Sequence, residues 1–454
     1  MDEMKIAIDT VWVLVAACMV FLMQAGFAML EVGFSRGKNV SAVMAKILVN
    51  LSIGTLAFWA VGFGLAFGTG NDLLGTEGFF LKASDFASLA YSDVPLSAKF
   101  MFEVVFCTVS LAIVWGTMLD RTRFPVYIVF ALVFSGLIYP LVGHWIWGGG
   151  WLAGLGMQDF AGSTVVHLCG ASAALAGTLL LGPRIGKFDR AGKVHPMPGH
   201  SMPLAILGVL ILWFGWFGFN PGSTLGAVSA RFADIALTTN IAACAGVAGA
   251  IIAGYAIQKT VDVGFAGNGA IAALVAITAP CAYVEPWAAA VIGLVAGVLM
   301  VLTVIGVDRI RVDDPIGAIA GHGVGGVWGT LSAGLFTTGA LADANGVGKA
   351  GLFYGGGLHQ LGVQAAGIAA VFAFVFVASG ATFLLCKVTV GLRVTAQQEV
   401  EGLDIHEHGM WGYPEQFIPG YGGYQPYVAV PARRQPAKQP EPALRPAPTG
   451  GSAS

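Results

Sequence analysis

Apolar stretches separated by short polar loops run through most of the chain. Each stretch is about 20 residues long, which is the length that an α-helix needs to cross a hydrocarbon core of roughly 30 Å. The pattern predicts about eleven transmembrane helices, over residues 10–33, 42–67, 98–119, 125–145, 161–181, 202–221, 233–256, 266–283, 287–306, 315–336 and 359–386. The sequence therefore predicts an all-α polytopic membrane protein.

Composition agrees with this pattern and excludes one class of partner. Of the 454 residues, 56% are hydrophobic and 11% are charged, whereas a soluble domain carries roughly a quarter charged residues. Most of the chain is therefore expected to contact membrane lipid. The net charge is -2 and neither half carries a basic patch, so nucleic acid is not an expected partner.

Basic residues between the apolar stretches predict the orientation, because Lys and Arg accumulate on the cytoplasmic side. One set of alternate loops holds 13 basic residues and the other set holds four. The richer set is Arg36, Lys38, Arg121, Arg123, Arg184, Lys187, Arg190, Lys193, Lys259, Arg309, Arg311, Lys387 and Arg393; the poorer set is Lys82, Lys99, Arg231 and Lys349. The bias predicts an external N-terminus, a cytoplasmic C-terminus and insertion in a cell membrane.

The chain divides into three predicted parts. Residues 1–386 form a transmembrane domain, and residues 387–430 are polar with scattered aromatic residues, which predicts an ordered cytoplasmic tail. Residues 431–454 are rich in Pro and Ala and lack apolar periodicity, so this end is predicted to be disordered.

A spacing of Asp, His and Gly, D-x7-H-x2-G, occurs twice in the chain. The two copies are Asp159, His167, Gly170 and Asp314, His322, Gly325. They begin the fifth and the tenth predicted spans, and an offset of five spans places the two halves in opposite orientations in the membrane. The pattern predicts two inverted five-helix repeats followed by a final helix.

The repeat also predicts where the two histidines lie. A helix rises 1.5 Å per residue, so eight residues carry the chain about 12 Å inward from each aspartate. Starting from opposite faces of a core of roughly 30 Å, both descents end near the middle. His167 and His322 are therefore expected to lie side by side, where paired polar residues indicate function more often than packing.

Each of these residues also has a purely structural interpretation. Asp is a preferred N-cap residue, and Asp314 followed by Pro315 at the first helical position predicts a cap. Asp159 is predicted to cap its helix and to have a function besides. Two imidazoles without a third ligand make a poor zinc site, so no metal and no other cofactor is expected.

Three runs in the sequence resemble the signature of the ammonium transporter family in its bacterial form. They are Asp159–His167 preceded by Trp147-Gly-Gly-Gly, Gly215–Ser223, and Gly321–Gly325. The resemblance extends from about residue 10 to residue 412. It implies a homotrimer of eleven-helix subunits that carries ammonium or methylammonium and has no enzymatic activity.

The resemblance also implies roles for particular residues. An outer ammonium-binding site would be formed by Phe106, Trp147 and Ser223, with Asp159 beside it. Phe106 and Phe219 would close the pore below this site. His167, His322 and Trp216 would line the pore further in.

Family members of bacterial type are often regulated by PII-type signalling proteins at the cytoplasmic mouth, which makes such a protein an implied partner here. Rhesus-type channels for ammonia or carbon dioxide share the twin histidines, but they typically lack the outer Trp that Trp147 matches. An ammonium sensor usually carries a fused signalling domain, which the tail after Gly412 is too short to form. An intramembrane enzyme is disfavoured because the carboxylates lie mostly near the ends of the spans.

Overall fold

The computed structural model describes residues 2–82 and 86–418, and within this part of the chain the regular secondary structure is helical. The α-helices are α1 (Asp2–Phe34), α2 (Val40–Ala57), α3 (Phe63–Phe67), α4 (Leu96–Gly116), α5 (Phe124–Val133), α6 (Tyr139–Ile146), α7 (Trp151–Gly154), α8 (Cys169–Leu181), α9 (Met202–Gly222), α10 (Arg231–Gln258), α11 (Val263–Thr278), α12 (Pro286–Arg309), α13 (Gly325–Phe336), α14 (Gly339–Asn345), α15 (His359–Thr389), α16 (Ala396–Glu401), α17 (Leu403–His408) and α18 (Pro414–Phe417). The last of these belongs to a second compact unit that begins at Pro414.

In the described part of the chain, four π-helical segments interrupt or begin the long helices. They are Phe58–Gly62 between α2 and α3, Phe134–Ile138 between α5 and α6, Ser163–Leu168 before α8, and Ile319–Val324 before α13. A π-helical turn widens the helix by one residue and is often found at functional sites. The last two segments each contain one of the predicted histidines.

The observed helices confirm the predicted fold class. Nine helical stretches within residues 2–82 and 86–418 are long and apolar enough to cross a membrane. The other two predicted spans correspond to the 16-residue apolar helix α11 and to Ile319–Val324 with α13. The count of eleven and the orientation remain predictions.

The first helix begins at Asp2 rather than at residue 10 as predicted. Helical hydrogen bonds continue beyond the apolar stretch because backbone pairing does not require apolar side chains. One turn of this polar end carries an ion pair at (i, i+4), with 3.4 Å between Lys5 Nζ and Asp9 Oδ2, and such a pair supports a helix.

Close helix contacts hold the two predicted halves together. Helix α1 packs along α9, the first helix of the second half, while α10, α11 and α12 pack against one another. A Cβ atom at Gly33 would lie 2.3 Å from the backbone nitrogen of Ala205, and one at Gly208 would lie 2.3 Å from that of Leu30. Glycine at these positions lets the two backbones approach, as in other membrane helix pairs.

Three of the predicted inner loops meet in a buried ion-pair cluster at one end of the bundle. Arg184 donates to both carboxylate oxygens of Asp313, at 2.9 Å each, and to Asp120 at 3.1 Å. Burial alone would raise the pKa of Asp313, but the hydrogen bond from Arg184 and the charges of Arg121 and Arg184 outweigh it and lower that pKa. The cluster therefore keeps its charges and ties the loops together.

The chain after α15 returns to this end of the bundle. Arg393 donates to the carbonyl oxygen of Pro183 at 2.8 Å and to Glu399 at 2.7 Å. Asp404 accepts from the backbone N–H of Ala42 at 3.0 Å.

The division of the chain at residues 386 and 430 remains a prediction. The predicted disordered end, 431–454, lies outside the described residues.

Replacing Asp313 with alanine is expected to lower the melting temperature of the purified protein, since Arg184 loses its bidentate partner. Breaking a buried ion pair on one side destabilises a protein by about 3–5 kcal/mol. The depressed pKa of Asp313 means that this stabilisation is complete above the ordinary carboxyl value and is lost as the pH falls through the folded value. Asp308→Ala is the matched control, because its pair with Lys187 is partly exposed. An equal melting temperature for the two variants would contradict this interpretation.

A reporter fused after Lys387 is expected to behave as cytoplasmic, because the predicted inner loops carry most of the basic residues. The measurement is accessibility of the reporter in intact cells. An external reporter would mean that the number of spans is wrong by an odd number.

Candidate functional site

The two histidines of the repeat lie side by side in the interior. His167 and His322 belong to the π-helical segments Ser163–Leu168 and Ile319–Val324. Their Nδ1 atoms are 3.3 Å apart and their rings are stacked, with centroids 5.2 Å apart. Because both Nδ1 atoms face each other, one imidazole donates and the other accepts at any moment.

Each aspartate of the repeat accepts hydrogen bonds from backbone N–H groups at the start of the π-helical segment that follows it, and the two sets of contacts have the same geometry. Asp159 accepts from the backbone N–H groups of Gly162 and Thr164 at 3.0 Å and of Val165 at 2.9 Å. Helix formation begins only at Ser163, because Gly162 adopts φ +112°, a left-handed conformation that favours glycine.

Asp314 accepts in the same way from Gly317 and Ala318 at 3.0 Å and from Ile319 at 2.8 Å. The prediction that Pro315 occupies the first helical position is therefore wrong. Gly317 has φ +77° and turns the chain before the π-helix starts at Ile319. Asp314 is therefore not the residue directly before the helix. It accepts hydrogen bonds from the start of the helix across a short loop.

Aromatic rings form a column that ends at the histidines. Phe106 and Phe219 are stacked with centroids 4.0 Å apart, and Phe219 lies 5.5 Å from the ring of His167. Trp216 stacks on the same histidine at 5.4 Å and is fully buried. Its indole Nε1–H donates to the hydroxyl of Thr278 at 2.9 Å, which fixes the ring.

An open cavity of about 550 Å³ lies at the other end of this column. Phe106, Trp147, Asp159 and Ser223 all line it. The indole of Trp147 donates to the carbonyl oxygen of Asp159 at 2.7 Å, and the hydroxyl of Ser223 donates to the carbonyl oxygen of Phe219 at 2.9 Å. The structure thus brings together the four residues of the predicted outer site, with the ring of Phe106 at the boundary to the column.

Asp159 is a polar group of this cavity that is fixed by several hydrogen bonds. Burial raises its pKa to about 6, against the opposing effect of the hydrogen bonds from Val165, Thr164 and Gly162. The same three hydrogen bonds occupy the carboxylate oxygens. The contacts therefore show a structural role for Asp159 in the lining of the cavity.

The site also contains residues that the sequence analysis did not find. Phe27 lies 6.4 Å from the ring of His322, and no spacing in the sequence links the two. Gly162 and Gly317, by contrast, follow their aspartates at the same interval and could have been found as part of the repeat. Within residues 2–82 and 86–418, no group of three or more His, Cys, Asp or Glu side chains is placed to hold a metal ion.

Taken together, the fold and the site define a multi-pass helical membrane protein with an open cavity that is joined by stacked aromatic rings to a buried histidine pair. Residues 11–413 match the Ammonium Transporter Family, and the chain belongs to that family. It is 43% identical to the ammonium transporter Amt2 of Archaeoglobus fulgidus over 426 residues, which is 91% of this chain and 90% of that protein. It is 36% identical to the ammonium transporter of Bacillus subtilis over 90% of this chain and 98% of that one.

Solved structures resemble the fold closely. A protein described as Sensor Amt Protein superposes with a TM-score of 0.84 at 39% identity, covering 90% of this chain and all of that chain. Mep2 from Candida albicans superposes with a TM-score of 0.81 at 30% identity, covering 92% and 93% of the two chains.

Proposed function

We propose that this protein carries ammonium across a cell membrane through a narrow pore that passes Phe106 and Phe219 and continues between His167 and His322. The observation that carries the proposal is the continuous order of these groups. The outer cavity ends at the stacked phenylalanines, and the paired histidines follow directly behind them.

The outer cavity suits a small cation. The ring centroids of Phe106 and Trp147 lie 6.2 Å apart and the ring planes make an angle of 76°. The face of an aromatic ring attracts a cation by roughly 0.5 to 2 kcal/mol, depending on how far the cation is desolvated. The hydroxyl of Ser223 already donates to Phe219, so its free lone pairs can accept from ammonium. These contacts hold the ion where it loses water or a proton.

Behind the phenylalanines the rings of Trp216 and the two imidazoles follow, and all three residues are buried. A whole desolvated cation would be costly there, whereas neutral ammonia is not. The Nε2 atom of His167 is buried without a hydrogen-bond partner among the described residues. The histidine pair can therefore offer a donor or an acceptor to ammonia or to a released proton, and Trp216 holds the ring of His167 from one side.

The assembly and cellular setting form part of the same proposal. A homotrimer in a bacterial inner membrane is supported by the family resemblance, and the bundle exposes apolar side chains such as Leu14, Leu22 and Phe214 around a shallow groove. A PII-type signalling protein would meet the basic loops on the cytoplasmic side. No cofactor and no enzymatic step is needed.

A second candidate is an ammonium sensor, because one similar solved structure is described as Sensor Amt Protein. A Rhesus-type ammonia or carbon dioxide channel is less well supported, since Trp147 lines the outer cavity. Growth of a host that lacks its own ammonium transporters separates transport from sensing.

The protein is expected to restore growth of such a host when ammonium is the only nitrogen source and is scarce. A tagged copy measures the amount of protein in the membrane. Absence of growth despite normal membrane levels would favour sensing over transport.

A further inference from the structure

A second carboxylate lines the outer cavity and has no assigned role. Glu103 lies on α4, is 8% exposed and borders the cavity together with Phe106. Within residues 2–82 and 86–418 its carboxylate accepts no hydrogen bond and forms no ion pair. A buried carboxylate without a partner is unusual, because burying a charge is costly unless another group compensates it.

The position of Glu103 places it on the path into the site. It precedes Phe106 by three residues, so the two side chains share a face of α4 and are separated by about 4.5 Å along the helix axis. The cavity is also lined by Leu89 and Tyr91, which precede α4 in the chain. Glu103 therefore lies on the outer side of Phe106, where an entering cation arrives first.

The two carboxylates of the cavity differ in what they can bind. Asp159 directs its oxygens at three backbone N–H groups and has little capacity left for a ligand. Glu103 has both oxygens free of protein donors in the described part of the chain. A carboxylate accepts strong, charge-assisted hydrogen bonds from an ammonium N–H.

The remaining charge at the cavity is positive. Arg231 also lines it, and its guanidinium donates to the carbonyl oxygen of Ala282 at 3.3 Å and to the side chain of Asn345 at 3.0 Å. No carboxylate forms a salt bridge with Arg231 among the described residues. A cation that enters the cavity therefore meets one repelling charge, which the carboxylate of Glu103 in the same lining would offset.

We infer that Glu103 is a cation-binding residue of the outer cavity, whose free carboxylate holds the ammonium ion before it reaches Phe106 and Phe219. The inference rests on the proposed transport function and adds a residue to its binding site. It makes a specific claim about capture: Glu103 sets how tightly ammonium binds outside the phenylalanines and leaves passage through the histidine pair unchanged.

The test uses purified full-length protein in liposomes and records ammonium-driven current over a range of ammonium concentrations. Glu103→Gln keeps the shape of the side chain and removes its ability to carry a negative charge when a cation binds. Its KM for ammonium is expected to rise roughly tenfold with little change in the maximal current, because a nearby opposite charge contributes to capture more than to later steps. Glu103→Asp restores the charge on a shorter side chain, and its KM is expected to lie between those of the wild type and the Gln variant. The control is Glu77→Gln, which removes an exposed charge away from the cavity and should keep the wild-type KM.

The outcomes separate the inference from the function on which it rests. A wild-type protein without ammonium-driven current overturns the proposed function and this inference together. A wild-type current with an unchanged KM in Glu103→Gln overturns the inference alone. So does a lower maximal current at constant KM, which indicates a structural role, or a Glu103→Asp variant whose KM is no lower than that of Glu103→Gln.

Discussion

A double variant with alanine in place of His167 and His322 is expected to lose ammonium-driven current, at least tenfold, while still folding and inserting. Removing the pair eliminates the two imidazoles behind the phenylalanines, whose Nδ1 atoms face each other at 3.3 Å. Each single variant is expected to lose current as well. It leaves the remaining imidazole without its partner, which costs roughly 1 to 3 kcal/mol at a buried site.

The measurement compares currents at equal amounts of reconstituted protein. His195→Ala is the matched control, since that imidazole is partly exposed in a loop and lies near Asp189. If the histidines only fill space, the double variant will be less stable but will conduct normally. Wild-type currents from a well-expressed double variant would show that both histidines serve only to pack the interior.

Replacing Asp159 with alanine is expected to reduce uptake to the background of empty vesicles. Three backbone N–H groups at the start of the Ser163–Leu168 segment lose their acceptor, and this segment positions His167. Asp159→Asn is expected to be severely impaired too. An amide has a single oxygen, so its NH2 group would face either Gly162 N–H or the N–H groups of Thr164 and Val165.

Asp262→Asn is the matched control for this prediction. Asp262 caps α11 by accepting a single hydrogen bond from Phe265 N at 3.0 Å, which an asparagine can replace. Uptake is measured with labelled methylammonium at equal protein levels. Normal uptake by Asp159→Asn would show that the carboxylate acts only as a replaceable cap.

The histidine pair is the part of the site that the sequence alone could predict. The repeat places His167 and His322 at the same distance from their aspartates, and helix geometry then places them at the same depth. The π-helical form of both segments could not be predicted. The repeat fixes the spacing of the aspartate, glycine and histidine, but it does not specify the hydrogen-bond pattern of the turns that carry the histidines.

Other parts of the site depend on comparison or on the structure. Phe106, Trp147 and Phe219 are apolar residues in apolar helices, so periodicity cannot separate them from residues that simply pack. Phe27 reaches His322 only because one face of α1 packs against α9 and α4. Glu103 was visible in the sequence, but its position at the cavity was not. The helical spans were predictable because long apolar stretches leave helices as the main way to satisfy backbone hydrogen bonds in lipid.

The central claim is that the protein itself moves ammonium. The most direct test is labelled methylammonium uptake by liposomes that contain only the purified protein, with current recorded at the same time. Our account predicts uptake well above that of protein-free liposomes, competition by unlabelled ammonium, and no competition by potassium at the same concentration. Uptake no faster than in protein-free liposomes would contradict it.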